Sequence, residues 1–202
     1  MTVNNRPDDE DKNSNNNTNQ EPLRVAIIGG GITGVILALG LEKRGVDYVV
    51  YERNPSFTEL GAGIGFSPNA ERALGVVDPA VYTAYKKVTP EPTDEVEYFQ
   101  WVDGRHTNEL IARLPIGVDA FQGGRRSEFL DAWSAMIPPR KVRFRKEIET
   151  LKERENGKVE LRFKDGEAEE ADIGTYLYHF FCLTYHTCLT IVYYTLGLKN
   201  RV

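Results

Sequence analysis

A short apolar run, Arg24-Val25-Ala26-Ile27-Ile28, passes directly into Gly29-Gly30-Gly31-Ile32-Thr33-Gly34, and this junction constrains the fold more than any other stretch. The run reads as a buried parallel strand, and an apolar helix pattern from Val35 to Gly45 follows the glycines at once. Gly29, Gly31 and Gly34 stand at G-x-G-x-x-G spacing. Gly29 permits the tight turn out of the strand, Gly31 lets a pyrophosphate approach the backbone without meeting a Cβ, and Gly34 lets the helix pack close to the strand. The start of that helix adds unpaired N–H groups and the positive end of its dipole.

The glycine spacing alone is weak, so its surroundings decide. Val46-Asp47-Tyr48-Val49-Val50-Tyr51-Glu52 reads as a second strand ending in an acid. Glu52 follows the glycines at about the 20-residue distance where a carboxylate accepts hydrogen bonds from ribose hydroxyls. The competing reading is a glycine-rich turn with no ligand. Strand, glycine loop, helix, strand and acid in this order favour a dinucleotide site.

The rest of the composition narrows the class. With 202 residues the chain holds one ordinary domain or slightly more, and a net charge of −5 argues against a general nucleic-acid binder. Two cysteines, Cys182 and Cys188, give neither a disulfide framework nor zinc spacing, so a cytoplasmic setting is the default. Residues 1–22, rich in Asn, Asp and Thr, are expected to be a disordered N-terminal extension without the features of a secretory signal.

Beyond Glu52, Gly61-Ala62-Gly63-Ile64-Gly65 suits a backbone folded closely around a ligand, and Asn69 stands where it could cap a helix at Ala70–Leu74. Residues 95–102 read as a strand closed by an Asp103-Gly104 hairpin turn, with 108–114 as its partner. A helix pattern at Ser127–Trp133 ends at Pro138-Pro139. Val142-Arg143-Phe144 opens a β-rich stretch in which 147–151 and 158–163 alternate around an Asn156-Gly157 turn. Carboxylates are plentiful there, but their alternation fits the wet face of a ribbon. His106 reads as an exposed loop residue, and no residue is assigned a catalytic role.

Taken together, Gly29-x-Gly31-x-x-Gly34, Glu52-Arg53, Gly61–Gly65 with Pro68-Asn69-Ala70, and Arg125-Arg126-Ser127-Glu128-Phe129-Leu130 resemble the N-terminal part of the FAD-dependent aromatic hydroxylases. These are single-component flavoprotein monooxygenases of the salicylate hydroxylase type, common in fungal secondary metabolism. The resemblance covers about residues 23–173 and implies an α/β, Rossmann-like FAD-binding domain interrupted near 90–122 by the start of a β-rich substrate domain. It implies FAD as the nucleotide, with Glu52 on the adenosine ribose and Gly65 as a backbone contact. It also implies an arginine contact at the start of a helix, Arg126 being favoured over Arg125 by its spacing to Phe129-Leu130. In the family the sheet carrying Tyr98, Phe99 and Trp101 covers the substrate, so these residues either line that pocket or pack the sheet.

The pattern breaks after Ile173. The Gly-x-Asp-Gly turn and the later Gly-Asp-Ala-Ala-His-type motif of the family are both missing. From Gly174 to Val202 there are no acids, and half of the tyrosines and both cysteines lie here. A membrane helix over 174–198 is disfavoured by its Tyr, Thr and His content, and a soluble core element by its lack of period. The favoured expectation is a tail that did not evolve with this fold, derived from an intron or a frameshift. Cys182, His186 and Cys188 are a remote metal set, and no metal is expected.

The resemblance therefore implies a monooxygenase that uses NADH or NADPH and O2 to hydroxylate an aromatic or polyketide-type small molecule. As written, the chain is expected to be a truncated and inactive form. A non-catalytic nucleotide-binding fragment and an NAD-dependent oxidoreductase are the alternatives.

Overall fold

Side chains alternate in strand β1 (Arg24–Ile28) and its parallel neighbour β2 (Asp47–Glu52), and both faces of the pair are covered. Val25, Ile27, Tyr48 and Val50 enter one apolar cluster, while Ala26, Ile28, Val49 and Tyr51 enter another. Two covered faces explain why these strands are nearly continuous apolar runs rather than polar–apolar alternations. Each buried aliphatic chain contributes about 1.5–3 kcal/mol.

The computed structural model describes residues 22–57, 62–90, 96–118, 121–179 and 191–196. The expected extension at 1–22 lies outside the described residues except for Pro22, as do Gly61 and the Cys182, His186 and Cys188 set. After β2 come strand β3 (Gly63–Phe66), strand β4 (Val96–Val102), strand β5 (Leu110–Val118) and strand β6 (Gln122–Arg125). Strand β7 (Val142–Phe144), strand β8 (Ile148–Glu153), strand β9 (Val159–Phe163) and strand β10 (Ala168–Ala171) follow, then strand β11 (Ile173–His179) and strand β12 (Ile191–Leu196). The α-helices among the described residues are α1 (Ile32–Lys43), α2 (Pro68–Val77), α3 (Pro79–Val88) and α4 (Arg126–Ser134), and Pro139–Lys141 forms a 3-10 turn.

The main sheet runs β12-β11-β1-β2-β7, parallel throughout except for β12. Helices α1 to α4 supply the cluster on one face. The antiparallel ribbon β8-β9-β10 supplies the other through Leu161, Phe163 and Ala171. This is the mixed α/β architecture expected for a dinucleotide-binding domain.

Helix α1 is buried along Ile32, Val35, Ala38 and Leu39. It stops because Gly45 takes φ +66°, a left-handed conformation that lets Gly45 N–H reach Glu42 O and Val46 N–H reach Leu41 O. Helix α4 buries Phe129, Leu130 and Trp133, and the Trp133 indole N–H donates to Val81 O at 3.0 Å. Phe66, Tyr85 and Phe129 complete an aromatic cluster around Trp133.

Three local expectations need correction. Helix α2 begins at Pro68 with Ser67, not Asn69, at its N-cap. Proline fits the first helical position, and the Asn69 side chain instead accepts the Ser67 hydroxyl at 2.6 Å. The β4–β5 connection is a loop over 103–109 rather than a two-residue turn, because Asp103 Oδ1 accepts Arg105 N–H and His106 N–H, each at 3.1 Å. Its return strand is accordingly 110–118. Val142–Phe144 joins the parallel sheet beside β2 rather than the antiparallel ribbon.

Within the β4–β5 hairpin, Phe99 and Trp101 are 45% and 51% exposed, and the Tyr98 side chain lies outside the described residues. The sheet does not end where the composition changes. Gly174 pairs with Ala26, and Thr175 Oγ1 donates to Ala26 O at 3.3 Å. No helix among the described residues is long and apolar enough to cross a membrane.

Burial pushes the phenols of Tyr48, Tyr51 and Tyr85 above their ordinary value, that of Tyr85 up to about 12. Unfolded tyrosines ionise near pH 10 while these stay protonated in the fold, so the folded form binds more protons above about pH 10 and stability falls there as pH rises. Urea midpoints are expected to hold between about pH 7 and 9 and then drop. The Tyr85 hydroxyl has no hydrogen-bond partner among the described residues. Tyr85→Phe should therefore be neutral or up to about 1 kcal/mol stabilising at pH 7, with a shallower alkaline fall. An unchanged alkaline slope would remove Tyr85 from this account.

Candidate cofactor-binding site

The site grows from the end of β1. Gly29 has φ +104°, which a side-chain-bearing residue rarely adopts, and its N–H donates to Tyr51 O at 2.9 Å. Gly31 is the N-cap of α1 in an extended conformation, with its carbonyl accepting Val35 N–H. Among the described residues no side chain caps this end and no acid stands in the first turn, so the leading N–H groups of α1 meet no carboxylate from their own turn. A Cβ on Gly34 would lie 2.0 Å from Gly29 O and 3.4 Å from Ile27 Cγ2. Helix and strand therefore meet at backbone contact, as the spacing implied.

Glu52 ends β2 at the same edge of the sheet and is only 8% exposed. Its Oε2 accepts Gly30 N–H at 2.6 Å, and its Oε1 accepts Asn54 N–H at 2.8 Å. A carboxylate has about four acceptor sites, so each oxygen can accept one more bond. The acid is thus tied to the glycine loop and held in one orientation beside it.

The second glycine cluster and the arginine pair, far apart in sequence, meet on one ribbon. β3 pairs antiparallel with β6, with Gly63 opposite Arg125 and Gly65 opposite Gly123. Arg126 N–H donates to Ala62 O at 2.9 Å, which fixes the start of α4 against this ribbon. From there the Arg126 guanidinium reaches the first loop. Its Nη2 would stand 3.8 Å from a Cβ on Gly31, and among the described residues no other atom from outside the local backbone comes within 4 Å of that point. Arg125 turns outward, 80% exposed, with Glu128 at 3.9 Å.

Gly65 carries a packing role of its own. A Cβ there would fall 2.1 Å from Phe121 Cε1, so the Phe121 ring fills the volume that the glycine leaves. Phe121 in turn meets Phe99 edge-on at 5.6 Å. Sequence reasoning also passed over Phe57, whose Cε1 would lie 2.8 Å from a Cβ on Gly30, and Phe144, which meets Phe57 edge-on at 5.0 Å. An isolated phenylalanine in a polar loop was the available signal. Among the described residues no group of three or more His, Cys, Asp or Glu could hold a metal.

A family model described as FAD binding domain matches residues 22–173. The FAD-dependent monooxygenase pigN of Monascus ruber is 44% identical over 164 residues, which are 77% of this chain and 37% of that protein. The salicylate hydroxylase asL1 of Sarocladium schorii is 37% identical over 164 residues, covering 76% of this chain and 34% of that protein. Among solved structures, 2,6-dihydroxypyridine-3-hydroxylase of Arthrobacter nicotinovorans superposes with a TM-score of 0.56 at 25% identity. That match covers 75% of this chain and 35% of the hydroxylase. The chain thus spans little more than a third of the length of these two relatives.

Proposed function

Since the chain belongs to the FAD binding domain family of the FAD-dependent monooxygenases, we propose that these residues hold the adenosine-diphosphate half of FAD, as part of a protein that hydroxylates a small aromatic or polyketide-type molecule. The observation that carries the reading is the arrival of Arg126 at Gly31, which sets a guanidinium beside a bare backbone and an uncapped helix start. That donor set suits a pyrophosphate, since a guanidinium gives charge-assisted hydrogen bonds and the helix end adds N–H donors. A Cβ at Gly31 would intrude on this space, and the buried carboxylate of Glu52 stands beside it to accept from a ribose.

When bound, FAD would supply the redox chemistry, taking electrons from NADH or NADPH and delivering one oxygen atom of O2 to the substrate. The chain's own residues have a different task. Gly29, Gly31 and Gly34 shape the backbone around the phosphates, Arg126 neutralises them, and Glu52 fixes the ribose. Gly65 places the β3 backbone alongside the cofactor while Phe121 packs against it. None of these groups needs to move a proton.

Titration of the 202-residue chain with FAD tests this directly. The wild-type protein is expected to bind FAD and to quench its fluorescence. Arg126→Ala should weaken binding by about 10- to 150-fold, the equivalent of one or two charge-assisted bonds, and Arg125→Ala by no more than about twofold. Binding of NAD without FAD would instead favour an NAD-dependent oxidoreductase.

A further inference from the structure

We propose that Phe57, braced by Phe144, is the aromatic wall against which the adenine of the nucleotide packs. The inference rests on the FAD reading above and assigns the base-recognition part of the same site. Glu52 and Phe144 are paired across β2 and β7, so their side chains leave the same face of the sheet at the same edge. That edge is the carboxyl end of parallel strands, where open α/β sheets take their ligands.

Phe57 returns to this edge from the loop after β2. Its ring lies against Gly30 on one side, with Cε1 and Cδ1 at 2.8 and 3.1 Å from where a Cβ would stand. The Glu52 Oε2 atom is 3.1 Å from the same point, so ring and acid share one small region of the glycine loop. Phe144 fixes the ring from another direction, with the two planes at 81°. Phe57 nevertheless remains only partly buried, although it packs against the helix-side core. A base attached to a ribose on Glu52 would be within one ring's reach of it. Gly30 is not part of the G-x-G-x-x-G spacing, and its lack of a side chain is explained by the need to seat this ring.

The test is titration of the full chain with ADP, comparing wild type with Phe57→Ala, Phe57→Leu and Phe57→Tyr, each also melted to confirm folding. Loss of base stacking should weaken ADP binding by about 5- to 150-fold in the alanine and leucine variants. Tyrosine should stay within about threefold of wild type, because it keeps the ring face. A leucine variant that binds ADP like wild type would overturn the proposal, since apolar packing on Gly30 would then suffice. So would an alanine variant with undiminished affinity. If wild-type protein bound neither ADP nor FAD, this proposal and the cofactor reading would both fall. Wild-type binding that is insensitive to residue 57 would remove only the aromatic wall.

Discussion

Gly34→Ala is expected to lose about 3 kcal/mol or more of stability, at the upper end of what one added methyl group does in a packed interior. The new Cβ would stand 2.0 Å from Gly29 O and 3.2 Å from Gly29 C, both backbone atoms that cannot rotate away. Helix propensity pulls the other way, because alanine is favoured over glycine in a helix by about 1 kcal/mol. The clash outweighs it. Gly75→Ala provides the control: Gly75 lies inside α2, and among the described residues nothing outside its own helical backbone stands within 4 Å of its Cβ position. That substitution should stabilise by about 0.5–1 kcal/mol. Urea unfolding of both variants checks the pair. A Gly34→Ala midpoint equal to that of wild type would show that α1 is not seated on β1 as described. FAD affinity should fall with Gly34→Ala as well, since the start of α1 must shift outward to admit the methyl group.

The second large effect is expected at Trp133. Its side chain is fully buried, stacked on Phe129 at 5.3 Å and edge-on to Phe66 at 5.9 Å, with the indole N–H bonded to Val81 O. Truncation to alanine removes the largest side chain of a cluster joining α3, α4 and β3 and should cost about 3–5 kcal/mol. Against a total stability of about 5–15 kcal/mol, this lowers the melting temperature by about 10 °C or leaves the chain unfolded at 37 °C. Trp133→Phe keeps an aromatic ring and loses the hydrogen bond, so its loss should be smaller, about 1–2 kcal/mol. Calorimetry on the two variants separates packing from the hydrogen bond. Equal losses would mean that the indole N–H, and not the ring volume, governs the site.

The parts of the fold legible in the sequence are those with a local physical signature. The β1–loop–α1–β2 unit was readable because backbone requirements at Gly29 and Gly34 coincide with apolar runs on either side. The ribbon at 148–171 was readable from alternation and from Asn156-Gly157, where Gly157 indeed has φ +76°. Helix α3 was missed, although Asp78-Pro79 is a capping residue followed by proline, and Asp78 Oδ1 does accept Ala80 N–H at 2.8 Å. Val142–Phe144 could not be assigned to its sheet, because three residues show no period. In the site, the glycines and Glu52 stood out by spacing and Arg126 only through the family resemblance, whereas Phe121 did not stand out. Phe121 fills the space at Gly65 from 56 positions away, and Arg126 meets Gly31 from 95 away. Such contacts depend on how the elements close on one another, and no local pattern encodes them.

The tethering of Glu52 also bears on the entropy of ligand capture. A free glutamate side chain gives up about 1.5–2 kcal/mol of rotamer freedom when it is fixed. Here Gly30 N–H and Asn54 N–H already hold both carboxylate oxygens. That ordering is completed during folding, so an arriving nucleotide need not supply it again. The Glu52 carboxylate is therefore preorganised, and under the proposed cofactor reading ligand affinity there should reflect new hydrogen bonds almost undiminished by side-chain ordering.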